Sequence, residues 1–154
     1  MSSLLVLKLG RKTTENMKRA PDRRYFAMDK NREHEIRVET RSQYIEEQSD
    51  PEIDRYVFSY TITIRNKGSL PARLLTRHWI ITDADGKEQE VIGEGVVGEQ
   101  PYIKPGEEYQ YTSGTMMETP VGSMRGSYQM VGDDGKLFDA EIPTFTLSQP
   151  HSLH

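Results

Sequence analysis

The chain has 154 residues, with 20 Lys and Arg against 24 Asp and Glu, and no cysteine. This length corresponds to one domain of ordinary size, large enough to bury a core without disulfides. The lack of cysteine excludes a disulfide scaffold, a thiol enzyme and a Cys-based zinc site. The longest apolar run, at 4–9, is interrupted by Lys8 and falls far short of the roughly 20 residues of a membrane span. We therefore predict a cytoplasmic protein that does not insert into membranes.

The charge is divided unevenly along the chain. Residues 1–34, here called the basic arm, carry a net charge of +5, and residues 35–154 carry −9. The arm lacks the interleaved aromatic residues of a base-stacking surface, so no nucleic-acid partner is predicted. We expect the arm to be a disordered extension. A start at Met28 would delete most of the arm, and residues 1–27 would then contribute nothing to the fold.

The first half of residues 35–154 shows the period of β-strands. Residues 36–44 alternate between polar and apolar or small side chains, as in a strand with one wet face. Residues 56–64 are aromatic and β-branched and predict a central strand. Residues 74–82 predict the next strand. A hairpin turn at 83–86 and a return strand at 87–92 follow it.

The second half continues in the same way. We predict loops at 93–105 and 114–122, a short strand at 102–103, and longer strands at 108–113, 124–131, 136–142 and 144–147. No amphipathic helix is present to connect parallel strands, so the sheets should be antiparallel. The prediction is an all-β antiparallel sandwich of about seven or eight strands. Trp79 should lie in its core, against Phe58, Tyr60 or Tyr128.

A glycine motif is the first candidate site. Gly93, Gly95 and Gly98 match the G-x-G-x-x-G pattern of dinucleotide-binding loops. The helix that completes such a site is missing, and Glu94 would repel phosphate. A glycine loop without a helix can still form an anion-binding nest. The alternative is that the glycines serve turns or bulges.

Arg77, His78 and Trp79 form the second candidate. On a strand Arg77 and Trp79 share one face and His78 points to the other. His78 could be a general base if Glu94, Glu99 or Asp83 oriented it, or it could be structural. The sequence has no G-x-S-x-G and no Walker A motif. We therefore predict no catalytic residues and no enzyme.

Metal ligands are sparse. The four histidines are His34, His78, His151 and His154, and two near the C-terminus do not make a closed shell. The acidic turns at 46–54 and 83–85 lack the ligand spacing of a calcium loop. We predict no metal site and no cofactor, with a divalent-cation sensor as a weaker hypothesis.

Several blocks of the sequence together resemble the ApaG family. They are residues 44–51, 56–64, 75–83, 93–101, 105–106, 111–114, 119–124 and 126–130. The resemblance covers about 35–154 and implies an immunoglobulin-like or fibronectin type III-like β-sandwich. It also implies a bacterial protein, an interaction module, and an indirect association with cobalt and magnesium tolerance or efflux. Within the family the glycine motif is the proposed pyrophosphate-type site, here Gly93, Gly95 and Gly98.

The function predicted from these observations is a non-catalytic module that binds a protein partner. Its recognition loops are predicted at 93–101 and 114–122. The predicted interaction surface comprises Arg77, His78, Glu94, Glu99, Thr119 and Pro120. The alternative is a small-ligand module that binds pyrophosphate or a nucleotide through residues 93–98. An uncovered sheet edge could also pair two copies into a homodimer.

Overall fold

The fold is an antiparallel β-sandwich. A computed structural model describes residues 5–13, for the course of the backbone, and residues 32–151. Its strands are β1 (Leu5–Thr13), β2 (Ile36–Tyr44), β3 (Tyr56–Asn66), β4 (Ala72–Asp83), β5 (Glu88–Glu94), β6 (Tyr102–Ile103), β7 (Glu108–Met117), β8 (Val121–Gly132) and β9 (Leu137–Ser148). The helical turns in these ranges are two 3-10 turns, Glu46–Gln48 and Pro51–Ile53. In the same ranges no helix has the length and apolarity to cross a membrane.

The strands form two sheets. The first has the order β1-β7-β3-β2 and the second the order β5-β4-β8-β9, with β6 paired to β4. Every pairing is antiparallel. Short hairpin turns join β4 to β5 and β8 to β9, while β3-β7 and β4-β8 pair strands that are distant in the sequence. The all-β sandwich predicted from the sequence is confirmed. β3 lies inside its sheet, between β2 and β7, as its dense apolar pattern predicted.

The core lies between the two sheets and is centred on Trp79, which is fully buried. The Trp79 ring meets those of Tyr60 and Tyr128 edge to face, at centroid distances of 5.4 and 6.4 Å. Phe145 adds a third contact at 6.0 Å. Edge-to-face pairs of this kind stabilise a core beyond the area they bury. The core position predicted for Trp79 is confirmed, with Tyr60 and Tyr128 as two of the predicted neighbours.

The strand boundaries differ most from the prediction at two places, while β5 also extends to Glu94, into the predicted loop 93–105. The predicted loop 114–122 is largely strand, and the connection between β7 and β8 is reduced to residues 118–120. The strand β9 continues through Pro143, which the sequence placed between two strands. Residues 143 and 144 are opposed by the single residue Arg125, so a bulge accommodates the missing N–H of proline on an edge strand.

Part of the basic arm belongs to the first sheet. β1 pairs antiparallel with β7, from Leu5 opposite Gly114 to Thr13 opposite Glu108. The expectation of a disordered extension therefore does not apply to residues 5–13. The rest of the arm up to residue 31 lies outside the described residues, and the start at Met28 stays a prediction.

Candidate functional site

The pairing of β4 with β5 determines the position of Arg77. Arg77 is in register with Gly93 on β5, and it lies two residues from Trp79 on the same face of β4. A Cβ atom on Gly93 would lie 2.7 Å from the Cζ atom of Arg77. Glycine at position 93 therefore leaves the space that the guanidinium occupies. The prediction that Arg77 and His78 point to opposite faces agrees with these contacts.

Backbone carbonyls hold the Arg77 side chain. Its Nη1 donates to the carbonyl oxygens of Glu94 at 2.9 Å and Gly95 at 2.8 Å. Among the described residues no carboxylate forms an ion pair with Arg77. Half-buried charges are usually paired, because leaving water costs free energy. The guanidinium is therefore held in place while its charge is balanced only by neutral dipoles.

A cleft opens beside this guanidinium, between the two sheets. We call it the Arg77 cleft, and its volume is about 170 Å³. It is lined by Tyr60, Arg77, Trp79, Glu94, Val96, Val97, Gly98, Tyr111 and Ser113. One wall comes from the glycine loop and the other from β3 and β7 of the opposite sheet. The volume is below the roughly 300 Å³ at which drug-sized ligand sites begin. The cleft can therefore enclose one small polar group and not a whole nucleotide.

Tyrosine hydroxyls form the inner wall of the cleft. Burial raises the pKa of Tyr60 to about 12, against the opposing effects of a hydrogen bond with Ser113 and the charge of Arg77. Burial also raises the pKa of Tyr111, whose hydroxyl is hydrogen-bonded to that of Tyr128. These hydroxyls are therefore neutral donors at physiological pH. Neutral donors beside an unpaired guanidinium suit an anionic group.

The glycine loop forms a tight turn at the mouth of the cleft. Val96 and Glu99 exchange two backbone hydrogen bonds of 2.8 and 2.9 Å. Between them Val97 and Gly98 have φ angles of 44° and 82°. Two positive φ values characterise a type I′ turn, and valine is strained there because its branched Cβ crowds the backbone. Within the described residues the N–H groups of Val97 and Gly98 donate to no protein acceptor.

The three motif glycines meet two structural requirements, space for a neighbouring group and a positive φ. Gly93 makes room for Arg77, Gly98 adopts the positive φ of the turn, and Gly95 meets both requirements. Its φ is 65°, and a Cβ atom would lie 2.4 Å from the Glu99 carbonyl oxygen. Turn and close-packing roles therefore explain the motif without a ligand, as one of the two sequence interpretations proposed. The unpaired N–H groups leave the anion-binding interpretation open.

The remaining predicted residues fall into separate places. His78 lies on the outer face of the sheet, with Nε2 2.7 Å from Glu90 Oε2. Its carboxylate partner is thus Glu90, and none of the three residues named from the sequence. Glu99 accepts a hydrogen bond of 3.0 Å from the Tyr109 hydroxyl, and Gln100 Nε2 donates to Glu94 Oε1 at 3.3 Å. Glu94 lines the Arg77 cleft, while Glu99 and His78 do not.

Thr119 and Pro120 lie at another part of the sandwich. The Thr119 hydroxyl accepts from the Ala84 N–H at 3.1 Å and donates to the Val121 carbonyl at 2.8 Å. Ala84 follows the end of β4, seven residues beyond Arg77, which is about 23 Å along a strand. The structure therefore does not bring the two predicted recognition loops together.

One group of three side chains in the described part of the chain could hold a metal ion. Glu33, His34 and Asp134 place their ligand atoms within 4.8 Å of one another. His34 Nε2 is 2.8 Å from Asp134 Oδ2. The pKa of Asp134 is lowered, first by a hydrogen bond from the Lys136 N–H and also by His34. None of the acidic turn residues considered in the sequence belongs to this group, and two of its members are exposed.

Sequence reasoning missed the inner wall of the cleft. Tyr60, Tyr111 and Ser113 reach Arg77 only because the two sheets stack, and strand periodicity does not specify that stacking. A partial signal existed for Glu90. It lies on the strand that returns beside Arg77-His78-Trp79. A hairpin turn at 83–86 makes the two strands antiparallel, and this pairing brings Glu90 near His78.

Fold and site together define an immunoglobulin-like β-sandwich with a small polar cleft between its sheets. The ApaG domain family matches residues 46–132, and the chain belongs to this family. Protein ApaG of Thiobacillus denitrificans is 57% identical over 127 residues, 82% of this chain and 100% of that protein. Protein ApaG of Pseudomonas aeruginosa is 59% identical over 122 residues, 79% of this chain and 97% of that protein.

Solved structures show the same sandwich. An X-ray structure from the Northeast Structural Genomics Consortium is 56% identical, with a TM-score of 0.75, covering 79% of this chain and 92% of that one. A crystal structure of a Bordetella pertussis protein is 48% identical, with a TM-score of 0.75, covering 77% and 96%. The 127 residues of the Thiobacillus match equal in number the stretch from Met28 to His154.

Proposed function

We propose that this ApaG-family chain is a non-catalytic protein-interaction module that recognises an anionic group of its partner in the Arg77 cleft. The observation that carries the proposal is the half-buried Arg77 guanidinium, which two carbonyls hold but no described carboxylate neutralises. A partner carboxylate or phosphoryl group would supply the missing charge. Charge-assisted hydrogen bonds to such a group are about twice as strong as neutral ones.

The non-catalytic part of the proposal is supported by the surroundings of His78. The imidazole and Glu90 lie on an outer sheet face, with 32% and 61% of their side chains exposed. A general base must lie within hydrogen-bond reach of a bound substrate, and an open sheet face provides no walls to position one. The Arg77 cleft holds neutral tyrosines and no described histidine.

A second candidate is a small-ligand module that binds pyrophosphate or the phosphates of a nucleotide through residues 93–98. The free N–H groups of Val97 and Gly98 favour it, because successive N–H groups in a turn form anion-binding concavities. The volume of about 170 Å³ suits one phosphoryl group, so the rest of such a ligand would lie in solvent. Glu94 at the rim opposes a second phosphoryl group.

The association with cobalt and magnesium is proposed to be indirect. Two of the three side chains in the candidate metal group are exposed, and the pair His34–Asp134 already satisfies one ligand atom of each. A melting temperature that rises by several degrees in millimolar cobalt or magnesium would contradict this, since a ligand of the native state stabilises it by mass action.

The test uses the full chain as bait for partner capture at physiological salt, with and without cross-linking. Three baits are compared: the unmodified chain, Arg77→Gln, and Arg125→Gln as a matched control. Arg125 is half exposed, and its Nη2 lies 3.6 Å from Glu88 Oε2. We expect proteins that the unmodified and Arg125→Gln chains retain and the Arg77→Gln chain loses. Repeated failure to retain any protein would count against an interaction module.

Amide spectra of the full chain distinguish the two sources of the anion. The chain is titrated with pyrophosphate, with ATP and with a capped tetraglutamate peptide. Saturable shifts of Gly93 to Gly98 with pyrophosphate or ATP alone would favour the small-ligand module. Shifts with the peptide would favour the protein partner. Silence of these amides in all three titrations at millimolar concentration would reject anion recognition in the cleft.

A further inference from the structure

The outer edge of β7 is covered by a strand from the part of the chain that precedes Met28. β7 pairs with β3 on one side and with β1 on the other. The Thiobacillus relative, matched over its whole length, is no longer than the stretch from Met28 onward. The solved relatives fold as the same sandwich over a similar share of the chain. In a sandwich of that length that begins at Met28, β7 would end the sheet with unpaired backbone groups.

We propose that the outer edge of β7 is a strand-acceptor site for an extended peptide with an apolar N-terminal half and a basic C-terminal half, and that β1 is its tethered intramolecular occupant. The proposal concerns backbone pairing at a sheet edge and not the Arg77 cleft. It goes beyond the proposed function by naming a second binding surface and the chemistry of the partner that fits it.

The sequence of β1 defines this chemistry. Leu5, Val6, Leu7 and Leu9 are apolar, and Lys8, Arg11 and Lys12 are basic. The basic half stands in register with Tyr109 and Gln110, beside the consecutive acids Glu107 and Glu108. Glu107 is buried and Glu108 also pairs with Arg65 at 3.1 Å, so Glu108, opposite Thr13, is the acidic residue that the basic end of the added strand approaches in this register. In strand addition the main-chain bonds supply affinity, while charge of this kind determines direction and register.

The connection between β1 and the rest of the chain permits exchange with an external peptide. Residues 14–31 separate Thr13 from Arg32. The distance to cross is about three strand spacings, roughly 14 Å, because Thr13, Glu108, Arg65 and Arg37 are in register. A connection of this length can extend to about 60 Å, so it is long enough for either state.

The first test compares the full chain with residues 28–154, a length at which the ApaG relatives exist. The probe is a fluorescent peptide with the sequence of residues 5–13, capped at both ends. It carries no carboxylate or phosphate, so it cannot report on the Arg77 cleft, and failure here leaves the proposed function unaffected. We expect saturable binding to 28–154, with amide shifts along β7, and at least tenfold weaker binding to the full chain. A peptide with Leu7→Pro lacks a central N–H and should not bind.

The second test needs no truncation. Amide exchange of β7 is measured in the full chain, in its Leu7→Pro variant and in a Thr14→Pro control just beyond β1. We expect the β7 amides that face away from β3 to exchange at least tenfold faster in Leu7→Pro only. Equal exchange in all three chains would overturn the proposal. So would a 28–154 dimer that protects β7 and excludes the peptide, since the occupant would then be a second copy.

Discussion

At the scale of single residues, Val97 carries a local conflict between sequence and backbone. Its φ of 44° belongs to the left-handed region, which a β-branched residue adopts at a cost of about 1–2 kcal/mol. Asparagine tolerates this region and is favoured before glycine in type I′ turns. We expect Val97→Asn to raise the free energy of unfolding by about 1 kcal/mol, measured by urea denaturation. Strain at this turn is then a cost that the rest of the sandwich offsets.

Val97→Ala is the matched control for this prediction. Alanine retains the Cβ that crowds the left-handed conformation but removes the apolar contact of Val97 with the core. It should therefore lower the free energy of unfolding or leave it unchanged. If Val97→Asn is as unstable as Val97→Ala, the packing of the valine outweighs its strain, and the turn is not a strained element.

The buried tyrosines predict a loss of stability in alkali. The pKa values of Tyr60 and Tyr109 are raised to about 12, first by burial in both cases and then, for Tyr109, by the hydrogen bond to Glu99. Tyrosine ionises near pH 10 in the unfolded chain. The unfolded state therefore loses protons first, and stability present below pH 10 falls as the pH rises towards 12. For Tyr60 the loss amounts to roughly 2–3 kcal/mol.

Urea denaturation between pH 9 and 11.5 measures this loss. Tyr60→Phe removes one of the titrating groups, so its stability should fall less steeply with pH than that of the unmodified chain. Absorbance of tyrosinate over the same range should show two sets of residues, one of them titrating above pH 11. A free energy of unfolding that stays constant from pH 9 to 11.5 would contradict the burial argument.

At the scale of elements, one buried side chain joins β3 to β6. Asn66 ends β3 and is 1% exposed. Its Nδ2 donates to the carbonyls of Leu70 and Ile103, both at 2.9 Å, and its Oδ1 accepts from the Gly68 N–H at 2.9 Å. We expect Asn66→Ala to cost about 2–4 kcal/mol, because one buried and two half-buried partners lose their hydrogen bonds together. Urea denaturation measures the change.

Gln110→Ala provides the comparison for Asn66. Gln110 is half-buried on β7 and donates one hydrogen bond of 3.2 Å to the Thr63 hydroxyl. Its removal should cost less than about 1 kcal/mol. Asn66→Asp should be as harmful as Asn66→Ala, because a carboxylate would face the carbonyl oxygens of Leu70 and Ile103. An Asn66→Ala variant as stable as Gln110→Ala would show that the turn and β6 hold without this side chain.

The elements that the sequence predicted well are those with a local pattern. Period-two alternation indicated β2. Dense aromatic and β-branched residues indicated β3, since a strand inside a sheet is rich in such residues. The bulge at Pro143 was missed because proline looks like a strand end until its partner strand is known. The end of β7 was missed because Gly114 looks like a loop, although its pairing with Ser59 keeps it in the ladder.

The candidate site was half predictable for the same reason. Arg77 and the glycines are close in sequence to a hairpin, so an antiparallel register brings them together. Tyr60 and Tyr111 come from the other sheet, and no local pattern specifies how two sheets stack. β1 was missed because a strand added at an edge, with basic residues and a glycine, has the composition of a tail.

At the scale of the whole molecule, the outer strands of the two sheets contact each other on one side of the sandwich, the closed side. On the other side, the open side, a cleft separates the two sheets. The outer strands β2 and β9 meet at one corner, where the Ser42 hydroxyl donates to the Thr146 carbonyl at 3.0 Å. On the open side the outer strands are β1 and β5, and a cleft of about 350 Å³ separates Glu88 and Gln89 of β5 from Met116 and Met117 at the end of β7. Both proposed binding surfaces adjoin this open side. The two proposals therefore place recognition where the two sheets do not close.

Amide exchange across the full chain tests this asymmetry. β5 is an edge strand with a single neighbour, and alternate residues of it are exposed, including Ile92 at 69%. β3 and β8 each pair on both sides and carry fully buried residues. Opening a central strand exposes more apolar surface than opening an edge, so we expect β5 amides to exchange first and β3 and β8 amides last, near the rate of global unfolding. Protection of β5 equal to that of β8 would contradict the open side. If that protection grew with protein concentration, the free β5 edge would be pairing with a second copy, as an uncovered edge predicts.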